Sequence, residues 1–425
     1  MSEPRLEHLA NGIRLITLEN PVIEVVAAHF AFGVSPSAIP TSQAGLAHLL
    51  AAVLTKGTTH HSSHDIALCF ADWGARLSVE VNTDTLELNS KCMAAEFSQM
   101  LALIAEVIQS PQFPEAEVER EQLLLLQTIR TRHEQALGSL YELVCRHLYG
   151  DHPYAEAFVG TVETVSALRP QDLLAAHQRL FQPDNLVITV VGSLSASHVR
   201  TLVEQQFAQW QPLPPPPAPP APGIPSYHAT RLTLNQPSQQ TTLLLAYLGC
   251  SVFSPDYLPL SLLVNYLGNG LSSRLFVEMR EKQGLAYEVS AFFSMRRDPA
   301  PLVVYLATAA ANTDQALTQL RQEMTRLCQN PLTESEWLAT QRKVLGHYAL
   351  GQQTNSQTAQ RLGWFEVMGL GYGFARDYPQ LVMQSTPDMG WTVAKKYLQD
   401  PIVALAGSPQ TLAIVSVENQ CLNAT

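Results

Sequence analysis

The chain has 425 residues, 46% of them apolar, and a formal net charge of −11. The apolar share excludes disorder as the main state, and the acidic balance excludes the basic face that nucleic-acid binding requires. At roughly 100–200 residues per domain, the length predicts two or more domains.

The first residues, Met-Ser-Glu-Pro-Arg-Leu-Glu-His, turn acidic early and contain no apolar run, so no secretory signal is expected. No run of about 18 uncharged apolar residues occurs, and no membrane association is expected. Six cysteines (Cys69, Cys92, Cys145, Cys250, Cys328 and Cys421) form no Cys-x-x-Cys pair. They read as buried reduced thiols, which suits a cytoplasmic setting.

An alternating pattern predicts a strand over Gly12–Leu18, and after a turn a second strand is expected over Val25–Gly33. A helix follows from Gly45 to Leu54. A polar turn, Thr58-Thr59-His60-His61-Ser62-Ser63-His64-Asp65, leads into another helix with Ser62 or Ser63 as its cap. His60 and His64 are four apart, so this cluster reads either as a solvated loop or as a chance metal-binding face. After Gly74, an edge strand is expected within Ser78–Leu88, with Asp84 and Glu87 pointing outward. A long helix starts after Pro114, with Glu115 and Glu117 in its first turn.

Nine prolines fall between Pro212 and Pro225. Each lacks a backbone donor, so residues 211–225 are expected to form an extended spacer between domains at 1–210 and 226–425. The second half repeats the first. Strands are expected over Thr230–Leu234 and Thr242–Gly249, a helix over Leu258–Leu267, and a long helix from Glu334. Between them, a glycine-bearing turn at Gly268–Gly270 enters a helix with Ser272 as a possible cap. Gly284 ends it in a left-handed conformation, and a strand follows over Ala286–Phe293. The near-constant offset between the halves indicates a duplicated unit. The expected class is α+β: two homologous domains, each a mainly antiparallel sheet packed with helices.

Gly45-Leu46-Ala47-His48, followed by Lys56-Gly57-Thr58, resembles the inverted-zincin metallopeptidases, the family of pitrilysin and the mitochondrial processing peptidase. Asn11-Gly12, Gly74-Ala75, His152-Pro153-Tyr154, Gly160-Thr161, Pro183-Asp184-Asn185 and Val191-Gly192 extend the resemblance over nearly the whole chain. Family members carry His-x-x-Glu-His on this helix. Two histidines one turn apart reach one zinc ion, and the glutamate between them polarises the metal-bound water. The resemblance places Ala51 at the glutamate, Ala52 at the second histidine and Thr128 at the third ligand, a glutamate on a later helix. Glu121 matches a second acidic position. Only His48 remains, either as a half-buried helix histidine or as a remnant metal contact.

Active members also place an arginine and a tyrosine, seven residues apart, to hold the substrate carbonyl from the second domain. Arg280 and Tyr287 match both, and a fixed cation with a phenolic donor suits a developing oxyanion. The residue types alone also allow a cation at a helix end and a tyrosine packed in a sheet. Some bacterial members are heterodimers that divide the zinc site and this pair between subunits. The resemblance therefore implies a chain without zinc, a zinc-bearing homologous partner, and unfolded peptides as substrates. These peptides are expected to bind as an added strand along Ser78, Val79, Glu80, Val81 and Asn82. A structural core-protein-like subunit and a peptide-binding homodimer are the alternatives.

Overall fold

The computed structural model describes residues 3–35, 38–156, 158–214, 223, 225 and 227–412. Most of the proline-rich spacer expected at 211–225, and Cys421, lie outside the described residues.

Eleven strands form two sheets among the described residues. The first comprises β1 (Arg5–His8), β2 (Arg14–Glu19), β3 (Val25–Gly33), β4 (Arg76–Val81), β5 (Thr85–Met93) and β6 (Leu186–Gly192), in the order β1-β2-β6-β3-β5-β4. The second comprises β7 (Arg231–Asn235), β8 (Gln240–Leu248), β9 (Glu288–Phe293), β10 (Pro301–Ala309) and β11 (Ile402–Gly407), in the order β7-β11-β8-β10-β9. Apart from β1, the two orders are the same. In each, one parallel pair, β2 with β6 or β7 with β11, sits among antiparallel neighbours. This is the duplicated, mainly antiparallel α+β design that the spacing of the halves predicts.

The helices of the first half are α1 (Leu46–Val53), α2 (Ser63–Asp72), α3 (Phe97–Gln109), α4 (Glu115–Glu134), α5 (Ala136–Tyr149), α6 (Val162–Ala167), α7 (Pro170–Leu180) and α8 (Ala196–Phe207). Those of the second half are α9 (Tyr257–Gly268), α10 (Thr313–Gln329), α11 (Glu334–Leu350), α12 (Asn355–Met368), α13 (Phe374–Gln384) and α14 (Pro387–Tyr397). None is long and apolar enough to cross a membrane.

The central strands β3 and β6 read as nearly unbroken apolar runs because both of their faces are covered. One face of the first sheet, with Phe30, Phe32, Leu86, Leu88 and Ile188, joins Leu49, Met100, Ile104, Leu173 and Val203 in a single core. The other face, with Ile16, Ala27, Ala31 and Val187, receives Ala359, Leu362 and Val367 of α12. That helix approaches most closely at Gly363, where a Cβ would run into His29 Nδ1 and Thr189 Oγ1. The second sheet presents Leu244, Ala246, Val303, Ala404 and Ala406 to Leu140, Val144 and Leu148 of α5.

Sequence neighbourhood therefore does not decide which sheet a helix serves. Two compact units result, one of residues 1–129, 157–222 and 348–377, the other of 130–156, 223–347 and 378–425. The division expected at 1–210 and 226–425 follows the two sheets. The compact units differ from it by moving 130–156, with α5, to the second unit and 348–377, with α12, to the first.

Candidate functional site

Gly45 opens α1 in a left-handed conformation (φ 91°), where a Cβ would lie 2.7 Å from the Val159 carbonyl. His48, one helical turn before Ala52, is half-buried like it, and its ring meets Phe158 edge-on at 6.0 Å. Ala51 is only 6% exposed and belongs to the apolar core. Thr128 lies exposed on α4, its hydroxyl donating to the Leu124 carbonyl at 3.0 Å. One imidazole, two methyl groups and a hydroxyl bonded to its own helix do not make the three-ligand set of a catalytic zinc site. Among the described residues, no three His, Cys, Asp or Glu side chains are grouped to hold a metal ion.

What surrounds these positions is intact. Lys56, in the turn after α1, pairs with Glu121 of α4 at 2.8 Å. Glu106 of α3 accepts from the Thr58 hydroxyl and from the His60 amide at 3.1 Å, and it pairs with His61 Nδ1 at 3.0 Å. Burial alone would raise its pKa, but the hydrogen bonds from Thr58 and His61 outweigh burial and hold it below the usual glutamate value. His61 is thus a tie between loop and helix. Ser62 caps α2 in a reciprocal box with Asp65.

One edge of the first sheet is β4, which among the described residues pairs only with β5; β1 is the other edge. Ser78 and Glu80 are exposed, while Val79 and Val81 are half-buried against the core. Asn82 falls just past the strand, its amide donating to the Thr85 carbonyl at 2.7 Å. The outward orientation expected for Asp84 and Glu87 is corrected here: they are 4% and 1% exposed. Glu87 sits on β5, one strand in from the edge, on the face that α12 covers. It meets His29 Nε2 at 3.0 Å, Thr85 Oγ1 at 2.7 Å and Gln360 Nε2 at 3.3 Å. Burial pushes its pKa up, but these bonds and the His29 charge hold it below the usual value.

Arg280 and Tyr287 lie in neighbouring elements of the second unit. Residues Phe276–Lys282 wind as a π-helical segment continuing the helical residues 274–275, and Ser272 lies two residues before that start. Gly284, at φ 64°, reverses the chain, and the Leu285 amide donates to the Met279 carbonyl at 2.8 Å. The strand expected from Ala286 begins at Glu288, leaving Tyr287 just ahead of it, its amide bonded to the Ala307 carbonyl at 2.9 Å. Tyr287 is 59% exposed. Arg280 is exposed, its guanidinium carbon 5.0 Å from the Phe276 ring centroid.

Two carboxylates of this region, Glu278 and Glu323, are held by other cations, which the sequence reading did not single out. Arg274 binds Glu323 at 2.8 and 3.0 Å and Glu278 at 2.7 Å. Lys282 holds Glu278 at 2.9 Å, and Arg326 reaches Glu323 at 3.3 Å. Arg280 makes no ion pair among the described residues. The four-residue spacings of Arg274, Glu278 and Lys282 were the available signal.

The two like sheets, each packed with helices, define a duplicated α+β protein. Residues 19–162 match the family model described as insulinase (peptidase family M16), and residues 167–344 match the peptidase M16 inactive domain. The chain belongs to peptidase family M16. It is 25% identical over 358 residues to the uncharacterized zinc protease YmxG of Bacillus subtilis (strain 168), covering 84% of this chain and 87% of that one. It is 26% identical over 387 residues to an uncharacterized zinc protease of Mycobacterium tuberculosis (strain ATCC 25618 / H37Rv), covering 90% and 87%. A crystal structure of a peptidase M16 inactive domain from Pseudomonas fluorescens superposes with a TM-score of 0.88 at 25% identity, over 96% of this chain and 98% of that one. A protease from Helicobacter pylori shares the fold, with a TM-score of 0.85 at 19% identity over 96% and 99%.

Proposed function

We propose that this chain is the zinc-less, substrate-binding subunit of a heterodimeric M16 peptidase, lending Arg280 and Tyr287 to the active site of a zinc-bearing partner. It carries no cofactor of its own in this reading, and it works with unfolded peptides in a cytoplasmic setting. One contrast carries the reading. Of the three positions that the resemblance gives to zinc, two hold Ala52 and Thr128 beside His48, and the base position holds Ala51, whereas Arg280 and Tyr287 stand exposed on a well-tied segment, Arg280 with no ion pair among the described residues. The five described cysteines are unpaired thiols, with Cys69 and Cys328 half-buried, which agrees with a reducing compartment.

The chemistry assigned to this chain is positional. A guanidinium presents fixed donors, and a phenol adds another. Aimed at a carbonyl oxygen that gains charge in the transition state, both act without reorganising. Deprotonating water and binding metal fall to the partner.

Reconstitution tests this reading. The chain alone is expected to leave an unfolded peptide intact. With a zinc-bearing M16 homologue from the same source it is expected to form a complex that cleaves the peptide and stops with a chelator. Chelator-sensitive cleavage by the chain alone refutes the division of labour. Recovery only in a membrane assembly, or only as a self-dimer without activity, favours the structural or homodimeric alternatives.

A further inference from the structure

The edge strand β4 carries an ordered set of charges. Arg76, Ser78 and Glu80 alternate along it, all exposed. Across the ladder, β5 sets Lys91 opposite Arg76, Asn89 opposite Ser78 and Glu87 opposite Glu80. Lys91 is exposed, so two cations face each other at one end of the strand, an arrangement that disfavours the isolated pair. At the other end Glu80 faces Glu87, which is buried and held by His29, Thr85 and Gln360. Among the described residues, Arg76, Glu80 and Lys91 make no ion pair.

The backbone of this strand is available as well. The Asn82 amide donates to the Thr85 carbonyl at the hairpin end. Alternation from that pair turns the amides and carbonyls of Glu80, Ser78 and Arg76 towards β5. Those of Val81, Val79 and Leu77 face outward, with no strand beyond them among the described residues. An added strand would hydrogen-bond to these three residues. Its side chains on the charged face would stand beside Arg76 and Glu80, four residues apart.

We propose that this edge selects extended peptides by charge order: a basic residue beside Glu80 and, four residues later in an antiparallel strand, an acidic residue beside Arg76, with Lys91 one strand further in adding to the positive field. This rests on the peptide-binding role proposed above and adds a substrate class to it. The competing account is that edge charges merely block sheet-to-sheet aggregation. That account predicts no preference between peptides of one composition.

The test uses the intact chain and two labelled ten-residue peptides rich in threonine and valine. One contains Lys-x-x-x-Glu and the other Glu-x-x-x-Lys, with the rest identical. Fluorescence anisotropy at low salt should give about three- to tenfold tighter binding for the Lys-first order, fading as salt screens exposed charges. The double variant Arg76→Glu with Glu80→Arg changes only exposed side chains and should invert the preference. Val79→Pro removes one outward amide without touching the β4–β5 ladder and should weaken both peptides. Equal affinities for the two orders, or a preference that survives the charge swap, overturns the charge reading and leaves the peptide-binding role standing. Undiminished binding to Val79→Pro overturns the placement on β4. Binding of neither peptide overturns the peptide-binding role itself.

Discussion

The helix of His48 and the segment of Arg280 are equivalent in standing but opposite in content. On α1 and α4, the positions proposed for the metal site hold His48 beside the small Ala51 and Ala52, and Thr128 bonded to its own helix. The scaffold around them is kept: Lys56 with Glu121, Glu106 with Thr58 and His61, the Ser62 cap. In the second unit the scaffold is also kept, through Arg274, Glu278 and Glu323, and there Arg280 and Tyr287 remain exposed above it. The difference teaches that support and chemistry separate cleanly. Ion pairs hold the loop beside positions that carry no metal-binding set, so a well-tied surrounding says little about activity, whereas an exposed cation with no ion pair says more.

The sharpest way to break this comparison is at Arg280. In the reconstituted pair, Arg280→Ala should lower turnover by about 10²–10³-fold, the usual loss of one oxyanion donor, with Tyr287→Phe acting in the same direction. Assembly and the partner's zinc content should not change. Arg280→Lys should recover only part of the rate, because a point charge does not reproduce the guanidinium fork. A lower melting temperature with unchanged turnover per complex would make Arg280 a structural residue.

The second way is to restore what the first unit lacks. Ala51→Glu, Ala52→His and Thr128→Glu together with His48 should create zinc binding, measured by elemental analysis of tag-free protein. Ala51 is core, so an unpaired carboxylate there should cost the metal-free form about 3–5 kcal/mol, recovered on adding zinc. A folded triple variant that takes up no zinc would show that α1 and α4 no longer present a family site.

Much of this contrast was legible in the sequence, and the gaps have physical causes. The strand over Val25–Gly33 and the left-handed Gly284 were readable because a short bounded apolar run and glycine's freedom are local signals. Ala51, Ala52 and Thr128 were readable as departures from a motif. Asp84 was misplaced because a turn between two strands is ordinarily exposed, and Glu87 because a polar residue in a strand ordinarily marks a wet face. Here that face is covered by α12, which enters the sequence some 270 residues after Glu87, and His29 supplies the buried partner. The crossing of α5 and α12 between compact units was hidden for the same reason: no local pattern states which sheet a helix will meet. The π-helical winding of Phe276–Lys282 leaves no periodic trace over so few residues.

Acid offers a third probe, aimed at the first unit. His177 on α7 is 7% exposed, stacks on Phe181 at 4.5 Å, and bonds the Ile108 carbonyl through Nε2 at 2.8 Å. Burial pushes its pKa down from 6.5 to about 4, against the smaller upward pull of that carbonyl. The unfolded chain therefore binds this proton more readily. The contribution is fully present above pH 6.5 and is lost as the pH falls towards 4, by about 3 kcal/mol in all. Glu87, held below its usual value, adds a further loss at lower pH as it is protonated. Urea midpoints at pH 7 and 4.5 should show the drop. His177→Gln, which keeps a donor for Ile108, should flatten it, and an unchanged slope would remove His177 as the cause.

The smallest effect is expected at Lys56 and Glu121, and it tests the separation of support from chemistry most directly. The pair closes at 2.8 Å with side chains 31% and 13% exposed, so solvent screens much of its attraction. Such pairs contribute about 0–1 kcal/mol. Glu121→Gln keeps the shape and removes the charge. It should lower the melting temperature by about 4 °C at most. If Glu121 is only support, the reconstituted pair should keep its turnover and its KM, because the carboxylate neither meets substrate nor holds metal. If instead turnover falls tenfold while the melting temperature holds, Glu121 acts on substrate. The first unit would then have retained chemistry that its alanines conceal, and the contrast with Arg280 would have to be redrawn.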